Sequence, residues 1–382
     1  MTDRKRIYLD HAATTPVDDR IAADLQNIAL KFFGNPSSIH TEGVSARDLL
    51  ESSRRMISNL FHCTTSQIIF TSCGTESNNT IFQSAIHDLG IEHILTTEIE
   101  HPSVIQTALY YSDQQKIKLH ILPVDEFGLV SMDNLEGKLK AIKGKCLVSL
   151  MHVHNEIGST HPLNTISEIC KNHQAFFHSD TVQGIGIYDY DLDSLGVDFI
   201  SASAHKFNAL KGIGFLFART PAAIHCMMHG GGQERDKRSG TENLLGISAM
   251  TQALEYKYQS RVDNFQYIDE LHQYMKKKLV DLDLGIEINT PQKNYCPKIL
   301  NFQIPEYRGS DMLLINLDIA GIAASGGSAC SSGAEKPSGV ISKLKPQAKG
   351  RSVRFSFSTK NTKEELDYCL YTLDKLIKRN IK

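Results

Sequence analysis

The sequence lacks several features that would place it in a simple class of protein. Its eight cysteines are far apart and form no C-x-x-C pair, which argues against a disulfide framework and against a structural zinc site. The start of the chain has no apolar core of about 7–15 residues of the signal-peptide kind, and no apolar run approaches about 18 residues. We therefore expect a cytoplasmic protein with no membrane span and no metal site.

The chain also has no excess of charge of one sign. Its 41 Lys and Arg residues nearly balance 43 Asp and Glu residues, for a formal net charge of −2. Nothing here suggests a polyanionic partner, and a C2H2 finger, a basic zipper and a basic arm are all absent, so a direct nucleic-acid role has no support. Glycines at 74 and 230–232 can look like phosphate loops, but no G-x-x-x-x-G-K-[ST] or G-x-G-x-x-G element supports a nucleotide-binding protein.

The sequence does contain short apolar runs that alternate with amphipathic helical patterns. Its 382 residues, 41% of them hydrophobic, can bury a large core and are expected to form two domains. Strands alternating with helices predict an α/β domain with a largely parallel sheet. Thr15 and Pro16 resemble the N-cap and first residue of a helix that Gly34 stops. The predicted strands are 67–71, 93–97, 119–124, 146–152, 175–178, 197–202 and 213–218.

The pattern changes after about residue 260, where a smaller domain is expected to begin. A long amphipathic helix opens this region, and a capping box from Thr362 to Glu365 starts its last helix. Between them lie a strand-like run at 298–303, a Gly/Ser/Ala-rich stretch at 325–333 and an alternating run at 352–358. We predict a large cofactor-binding domain of residues 16–260 and a small domain of residues 1–15 and 261–382.

Residues 71–77 form the first candidate site, between a predicted strand and a helix expected to begin near Asn78. A turn of small residues directs backbone N–H groups at one spot, and the dipole of the following helix favours an anion such as phosphate. The alternative is an ordinary strand-to-helix turn with a Ser or Thr cap, which this pattern alone does not exclude.

Lys206 and Asp180 each follow a predicted strand, at the edge where open α/β sheets bind ligands. A lysine there could form a Schiff base with an aldehyde cofactor whose phosphate Ser203 and His205 hold, although a lone lysine is more often a solvated surface residue. A carboxylate that ends a buried strand needs a partner. For Asp180 that partner is either a pyridinium nitrogen or the backbone of a helix that it caps.

Cys330 is the third candidate, within the Gly/Ser/Ala-rich stretch. Small residues give a loop that can move, which suits a nucleophilic thiol that has to change position during a reaction. The alternative is a tight turn with an incidental thiol, because free cysteine is among the most buried residue types.

A series of short motifs runs in order along nearly the whole chain. They are 8–16 (YLDHAATTP), 34–38 (GNPSS), 75–77 (TES), 100–101 (EH), 151–158 (MHVHNEIG), 180–183 (DTVQ), 205–206 (HK), 229–232 (HGGG), 238–241 (RSGT), 327–330 (GSAC) and 353–356 (VRFS). With these motifs the chain resembles the NifS/IscS-type cysteine desulfurases of the class V aminotransferase group. The resemblance implies the type I pyridoxal-phosphate transferase fold, with a mostly parallel sheet in a large domain and a smaller α+β C-terminal domain.

The resemblance also implies a pyridoxal 5'-phosphate cofactor and a role for each matching residue. Lys206 is similar to the lysine that bonds the cofactor, Cys330 to the nucleophile and His101 to the imidazole stacked on the ring. Thr241 is similar to a residue that reaches the phosphate from the neighbouring subunit, so a homodimer is implied. The implied cofactor-binding residues are Gly74, Thr75, Asn155, Asp180, Gln183, Ser203, His205, Lys206 and Thr241, and the implied substrate-binding residues are Asn35, Asn155 and Arg354.

The implied activity converts L-cysteine to L-alanine and transfers sulfur, as a persulfide on Cys330, to an acceptor protein that acts as a scaffold or carrier. Iron–sulfur cluster assembly and tRNA thiolation are both possible routes. Selenocysteine lysis, another class V reaction and a non-catalytic sulfur-transfer partner stay open as alternatives, although transamination needs no thiol.

Three positions depart from the usual pattern of this family. The segment 207–211 (FNALK) replaces an aromatic-Gly-Pro-Lys sequence, His154 stands where Asn is frequent, and Cys73 stands where Gly is frequent. The turn after Lys206 and the rim of the site are therefore the places where this chain is expected to differ.

Overall fold

A computed structural model describes residues 6–327 and 338–378 of the chain, and the structural statements below refer to these residues. The strands, in chain order, are β1 Ile7–Tyr8, β2 Ile68–Thr71, β3 His93–Thr96, β4 Lys118–Ile121, β5 Cys146–Ser149, β6 Phe176–Asp180, β7 Phe199–Ser203, β8 Gly214–Ala218, β9 Glu287–Ile288, β10 Ile299–Ile304, β11 Ile322–Ala323 and β12 Arg351–Ser356. The helices are α1 Asp19–Lys31, α2 Thr41–Leu60, α3 Gly74–His87, α4 Pro102–Asp113, α5 Met132–Ala141, α6 Leu163–Asn172, the short left-handed turn α7 Gln233–Asp236, α8 Leu244–Gln259, α9 Arg261–Asp281, α10 Leu313–Ile319, α11 Gly339–Leu344 and α12 Lys363–Lys378.

Seven strands form the large sheet, in the order β2-β8-β7-β6-β5-β3-β4. The pairs from β7 to β4 are parallel, whereas β8 is antiparallel to both β2 and β7. Each of the seven predicted strands is present with bounds shifted by a few residues, and the largely parallel α/β sheet is confirmed. Because β5, β6 and β7 are parallel, their carboxyl ends meet at one edge of the sheet.

The large sheet is buried on both faces. Along β8, Phe215 and Phe217 pack into one hydrophobic cluster, and Leu216 and Ala218 pack into another. Alternate residues of a strand point to opposite faces, so this division places helices α2 and α8 on one side of the sheet and α3 and α4 on the other. Covering both faces leaves the carboxyl edge as the place where polar side chains can meet.

A second core lies in the C-terminal part of the chain. There β10 pairs antiparallel with β12 and β9, and β1 pairs in parallel with β11. Helices α9 and α12 pack on this region, in a cluster that also contains Ile7 and Leu9 from the start of the chain. Separate clusters support a division into two domains, and the boundaries at residues 15/16 and 260/261 remain a prediction.

The predicted start of the first helix is wrong. Helix α1 begins at Asp19 rather than at Pro16, because Asp18 caps it by accepting the backbone N–H of Arg20 at 3.0 Å. Thr15 Oγ1 instead donates to the backbone oxygen of His205, at 2.8 Å. The apparent cap at Thr15 therefore holds the start of the chain against the segment that carries Lys206.

The predicted start of the third helix is also displaced, since α3 begins at Gly74 and not near Asn78. The small residues of the turn are themselves the first helical turn. At the other end of the chain the capping box is confirmed, with Thr362 and Glu365 exchanging hydrogen bonds of 3.4 and 3.3 Å. Within residues 6–327 and 338–378, no helix is both long and apolar enough to span a bilayer.

Candidate active site

A cavity of about 270 Å³ lies at the carboxyl ends of β5, β6 and β7. Arg354 from strand β12 and residues 12–13 of the N-terminal segment also line it. The predicted residues that line it are Gly74, Thr75, His101, Asn155, Asp180, Gln183, Ser203, His205, Lys206 and Arg354. Its walls also contain Ala12, Ala13, Cys73, Met151, Val153 and Val182, which lie within the quoted motifs and the first candidate site but were given no role, and Ser103, which the sequence did not single out.

One end of the cavity is suited to an anion. Helix α3 begins there, with Cys73 as its N-cap residue. The Cys73 side chain accepts no hydrogen bond from the first turn, so its backbone N–H groups face the cavity without a side-chain cap. A Cβ atom on Gly74 would lie 2.7 Å from Val182 Cγ2, which leaves room for glycine alone. Cys73 is tolerated where the family has glycine because its φ of −175° is extended backbone.

Asp180 ends strand β6 and faces the cavity with a fixed carboxylate. Its Oδ1 accepts a hydrogen bond from the backbone N–H of Val182 at 3.0 Å, and its Oδ2 accepts one from Asn78 Nδ2 at 2.8 Å. The side chain is almost fully buried. Both sequence interpretations of Asp180 therefore have a basis, because one oxygen caps the turn after β6 while the carboxylate still lines the cavity.

Lys206 follows β7 on a single 3-10 turn, Ala204–Lys206, which carries its amine into the cavity. The Nζ atom donates to the backbone oxygens of Ala12 at 2.7 Å and Ala13 at 2.8 Å. A second lysine, Lys298, is buried behind it and donates to the backbone oxygen of Lys206 at 3.0 Å. Burial lowers the pKa of Lys298 to about 7, because desolvation disfavours its charged form.

Two further predicted residues hold positions set by the N-terminal segment. Gln183 Nε2 donates to the backbone oxygen of Ala12 at 2.8 Å. The imidazole of His205 lies 3.1 Å from Thr14 Oγ1, and burial lowers its pKa to about 4. His205 is therefore neutral at pH 7 and acts there as a hydrogen-bonding group rather than as a cation.

His101 is the N-cap of helix α4, whose first residue is Pro102. Its Nδ1 accepts the backbone N–H of Ser103 at 3.2 Å and lies 2.7 Å from Ser103 Oγ. Burial lowers the pKa of His101, which favours the neutral imidazole. The ring is thereby held in one orientation at the cavity wall.

Arg354 brings a buried guanidinium to the cavity from strand β12 of the small domain. One terminal nitrogen donates to Asp10 Oδ1 and the other to the backbone oxygen of Asn155, each at 2.8 Å. Within the described part of the chain its Nε–H has no hydrogen-bond partner. A buried cationic donor of this kind favours a carboxylate ligand.

Asn35 and Thr241 do not line this cavity. They meet in a second cavity of about 340 Å³ on the surface, beside Phe33 and the start of α8. The structure thus does not bring Asn35 together with Arg354 within one chain. Phe33, which lines this second cavity, is strongly exposed, at 73%.

Cys330 lies outside the described residues, so its position is not part of the geometry above. Among the described cysteines, burial raises the pKa of Cys63, Cys146 and Cys369 to about 12 and that of Cys296 to about 11. Such thiols stay protonated and are poor nucleophiles at pH 7. Cys73 is the described cysteine that lines the cavity.

The departures from the family pattern have local explanations. Asn208 adopts the left-handed conformation, with φ of 71°, which Asn tolerates better than most residues. Its backbone N–H donates to Thr15 Oγ1 at 2.7 Å, which anchors the turn after Lys206. His154 is buried and bonds the backbone oxygen of Ile99 at 2.9 Å, and burial lowers its pKa to about 3. It is therefore a neutral group that ties the chain before His101 to the turn containing Asn155.

Comparison with known proteins gives a consistent assignment. The aminotransferase class-V family model matches residues 7–369. A curated relative, the cysteine desulfurase IscS of Dictyoglomus turgidum, is 36% identical over 98% of this chain and 95% of its own length. A solved structure described as a NifS-like protein superposes with a TM-score of 0.89 at 32% identity, covering 98% of this chain and 100% of its own. A structure described as SspA in complex with cysteine superposes with a TM-score of 0.79 at 26% identity, covering 94% and 100%.

The chain belongs to the class V aminotransferase family. The resemblance to NifS/IscS-type cysteine desulfurases and the expected fold class are both confirmed.

Proposed function

We propose that the protein is a pyridoxal-phosphate-dependent cysteine desulfurase, which converts L-cysteine to L-alanine and passes the sulfur to an acceptor. The observation that carries this proposal is one cavity that collects an amine, Lys206, a fixed carboxylate, Asp180, a neutral imidazole, His101, and a buried guanidinium, Arg354. The curated relatives at 33–36% identity that are named cysteine desulfurase support the same activity.

The residues present fit pyridoxal phosphate. The first turn of α3 from Gly74, with Ser203 and His205 opposite, would hold the phosphate, and Asp180 would pair with the pyridinium nitrogen. Asn155, Gln183 and Thr75 complete the wall, in the list of lining residues given above. When bound, the cofactor supplies an aldehyde that bonds amines and a ring that accepts electron density from the substrate.

Arg354 and Lys206 have separate tasks toward L-cysteine. The guanidinium of Arg354, whose Nε–H has no partner among residues 6–327 and 338–378, binds the substrate carboxylate and so orients the α-carbon. Lys206 Nζ removes the α-proton and later returns a proton, while its backbone contacts to Ala12 and Ala13 keep the amine in the cavity. Asn155 supports Arg354 through its backbone oxygen.

Cys330 is proposed as the nucleophile on the strength of its motif and of the family resemblance. Its thiolate attacks the sulfur of the substrate, so an S–S bond forms and the Cβ–S bond breaks. The two sulfur atoms of the new S–S bond together lose two electrons and Cβ gains two, and Cβ takes up one proton, which balances the proton lost from the Cys330 thiol. L-cysteine and one thiol thus become alanine and one persulfide with no outside oxidant or reductant.

A homodimer is the second part of the proposal. Thr241 lies outside the cavity of its own chain, in a surface cavity whose lining includes the exposed Phe33. Burying Phe33 against a second copy would remove apolar surface from water and would let Thr241 reach the partner's phosphate site. The acceptor that takes sulfur from Cys330 is proposed to be a scaffold or carrier protein.

An absorption spectrum of the purified protein, before and after L-cysteine, tests the activity. We expect a visible band from the bound cofactor that changes with L-cysteine, together with one alanine for each sulfur released. L-alanine serves as the matched control ligand, because it has the same carboxylate and amine but no sulfur. A colourless protein that pyridoxal phosphate does not reconstitute would overturn the proposal in favour of a non-catalytic sulfur-transfer partner.

A further inference from the structure

A buried chain of hydrogen bonds joins the two proposed cofactor contacts Asp180 and His101. Its middle members are Asn78, on the second turn of α3, and Ser103, at the start of α4. Asn78 is fully buried and lines no part of the cavity surface described above. These hydrogen bonds thus connect Asp180 and His101, which are proposed to touch the cofactor, through Asn78, which does not.

The donor in this chain is fixed by chemistry. Asn78 Nδ2 lies 2.8 Å from Asp180 Oδ2 and 2.8 Å from Ser103 Oγ. A carboxylate only accepts hydrogen bonds, so the atom that faces Asp180 must be the amide nitrogen, and the opposite amide orientation would place two acceptors in contact. Both N–H groups of Asn78 are therefore used, one on each neighbour.

The proton of Ser103 is directed by the same contact. Because Ser103 Oγ accepts from Asn78, its single O–H is left to donate to His101 Nδ1, at 2.7 Å. The backbone N–H of Ser103 donates to the same nitrogen at 3.2 Å. A nitrogen that accepts two hydrogen bonds bears no proton, so the proton of the neutral imidazole is on Nε2.

Packing alone does not explain an asparagine at this position. Its Oδ1 is buried without a hydrogen-bond partner among the described residues. A buried unpaired acceptor costs stability, which an apolar side chain of the same size such as leucine would avoid. The amide is therefore accounted for by its two donor contacts.

We propose that Asn78 is a positioning residue: it aligns the carboxylate of Asp180 and, through Ser103, fixes the hydrogen bonding of His101 Nδ1. This inference rests on the proposed function for the roles of Asp180 and His101. One side chain thereby sets both the group that pairs with the ring nitrogen and the imidazole at the cavity wall.

Substituting Asn78 by Leu removes both donors, and substituting it by Asp preserves size while making the donor titratable. We expect N78L to bind pyridoxal phosphate about tenfold more weakly or worse at every pH, since a hydrogen bond to a charged group is lost. In N78D the new carboxyl donates to Asp180 only while protonated. Its cofactor affinity should therefore fall, relative to wild type, as pH rises.

The matched controls are N79L and N79D. Asn79 is the next residue of the same helix, and its amide donates to the backbone oxygen of Thr75 instead of to Asp180. Both controls should bind the cofactor with the pH profile of the wild type. The titratable groups that interact with the Asp180 carboxylate, and that all five proteins share, are Glu100, His101, His178 and Tyr190, and Lys206 lines the same cavity.

A second readout needs no cofactor. In apoprotein labelled with ¹⁵N at the histidine rings, the His101 signals are assigned by their loss in H101Q. We expect N78L to move the Nδ1 signal of His101, because the Ser103 hydroxyl is released, and N79L to leave it in place. N78L and N78D that match their controls in both this signal and the affinity profile would overturn the positioning role.

The two readouts separate this inference from the proposed function. Wild-type protein that binds no pyridoxal phosphate would contradict the function, while the apoprotein signal of His101 would still decide the role of Asn78. Thermal unfolding of each variant identifies any that fail to fold, and N78D, which keeps the size of the side chain, then carries the test.

Discussion

The two cavities that contain the predicted residues differ in how completely one chain builds them. In the cavity at the sheet edge, Asp180, Lys206 and Arg354 are each held by hydrogen bonds to their own chain. In the cavity beside Thr241, the surrounding Phe33 is 73% exposed, and Thr241 itself faces the surface. The first cavity is therefore lined by side chains that their own chain holds in place, whereas the second is open at the surface.

The difference shows what a single chain can encode in its own fold. Groups that follow parallel strands are brought together by the sheet, because the strand ends share one edge. A residue that contacts the site of a neighbouring subunit needs only to be exposed on the surface of its own chain. Substitutions in the first cavity should therefore reduce the activity of the chain that carries them by a large factor. Substitutions in the second cavity should have effects that depend on the association of two chains.

The largest effect is expected for Lys206→Ala, which removes the proposed proton carrier from the first cavity. Alanine formation should fall by roughly 10²–10⁴-fold or more, the range of a positioned acid–base group. The matched control is Lys211→Ala, five residues along the same turn, which should stay near wild type. Comparable activity in K206A and K211A would show that Lys206 is not the proton carrier.

The next effect is expected for Arg354→Lys, which keeps the charge but loses the forked donors. KM for L-cysteine should rise about 10- to 100-fold, because a charge-assisted hydrogen bond to the carboxylate is lost. Arg351→Lys, three residues earlier on β12 and paired with Asp311 at the surface, is the control. Equal KM values in R354K and R351K would show that the substrate carboxylate binds elsewhere.

The second cavity is tested by mixing two damaged chains. Thr241→Ala should weaken pyridoxal phosphate binding by a few-fold to about tenfold, as expected for one lost hydrogen bond to phosphate. Chains with K206A and chains with T241A should together form dimers in which one site has Lys206 from one chain and Thr241 from the other. That mixture should regain wild-type cofactor affinity and activity in one site per dimer.

No recovery in the mixture would mean that Thr241 does not serve the other chain. T241A protein alone is the negative control. Phe33→Asp in both chains should prevent the recovery by breaking the association of the two chains.

The smallest effect is expected in the pH dependence of stability around the first cavity. Burial lowers the pKa of His154 and of His11 to about 3, below the ordinary 6.5 of the unfolded chain. Below pH 6.5 the unfolded state binds more protons, so the free energy of unfolding falls as pH drops from 6.5 toward 3. Buried Glu100 and Glu156 have raised pKa values and act in the opposite sense.

Urea unfolding at pH 7 and pH 5 measures this loss, which we expect to be roughly 1–2 kcal/mol for each of the two histidines. His154→Asn should be less sensitive to pH than the wild type. Identical pH slopes in H154N and the wild type would contradict the buried neutral state of His154.

Much of the first cavity could be predicted because its residues follow strands. The alternation of apolar runs and helices indicates the parallel sheet, and Asp180 and Ser203 end two of its strands. Arg354 was found only through the family resemblance, since nothing in the pattern of β12 indicates which cavity its side chain enters. For the same reason the sequence did not show that Asn35 and Arg354 line different cavities, because contacts between distant segments cannot be deduced from local sequence.

Asn78 and Ser103 were missed for a different reason. The helix was expected to begin near Asn78, which would have left that residue in a turn, whereas α3 begins at Gly74 and buries it on the face toward Asp180. The N-cap at Thr15 was wrong because a side-chain cap and a tertiary contact have the same sequence pattern. In both cases packing decided between structures that local propensity allows equally.

The most direct test of the account is where the sulfur goes in a single turnover. Wild-type, C330A and C73A proteins are loaded with pyridoxal phosphate and mixed with one equivalent of L-cysteine. Each protein is then digested without reductant, and the masses of its cysteine-containing peptides are measured by mass spectrometry. The account predicts one added sulfur on the Cys330 peptide of the wild type and of C73A, with alanine in equal amount, and neither product in C330A. Sulfur on Cys73, or alanine formed by C330A at the wild-type rate, would contradict it.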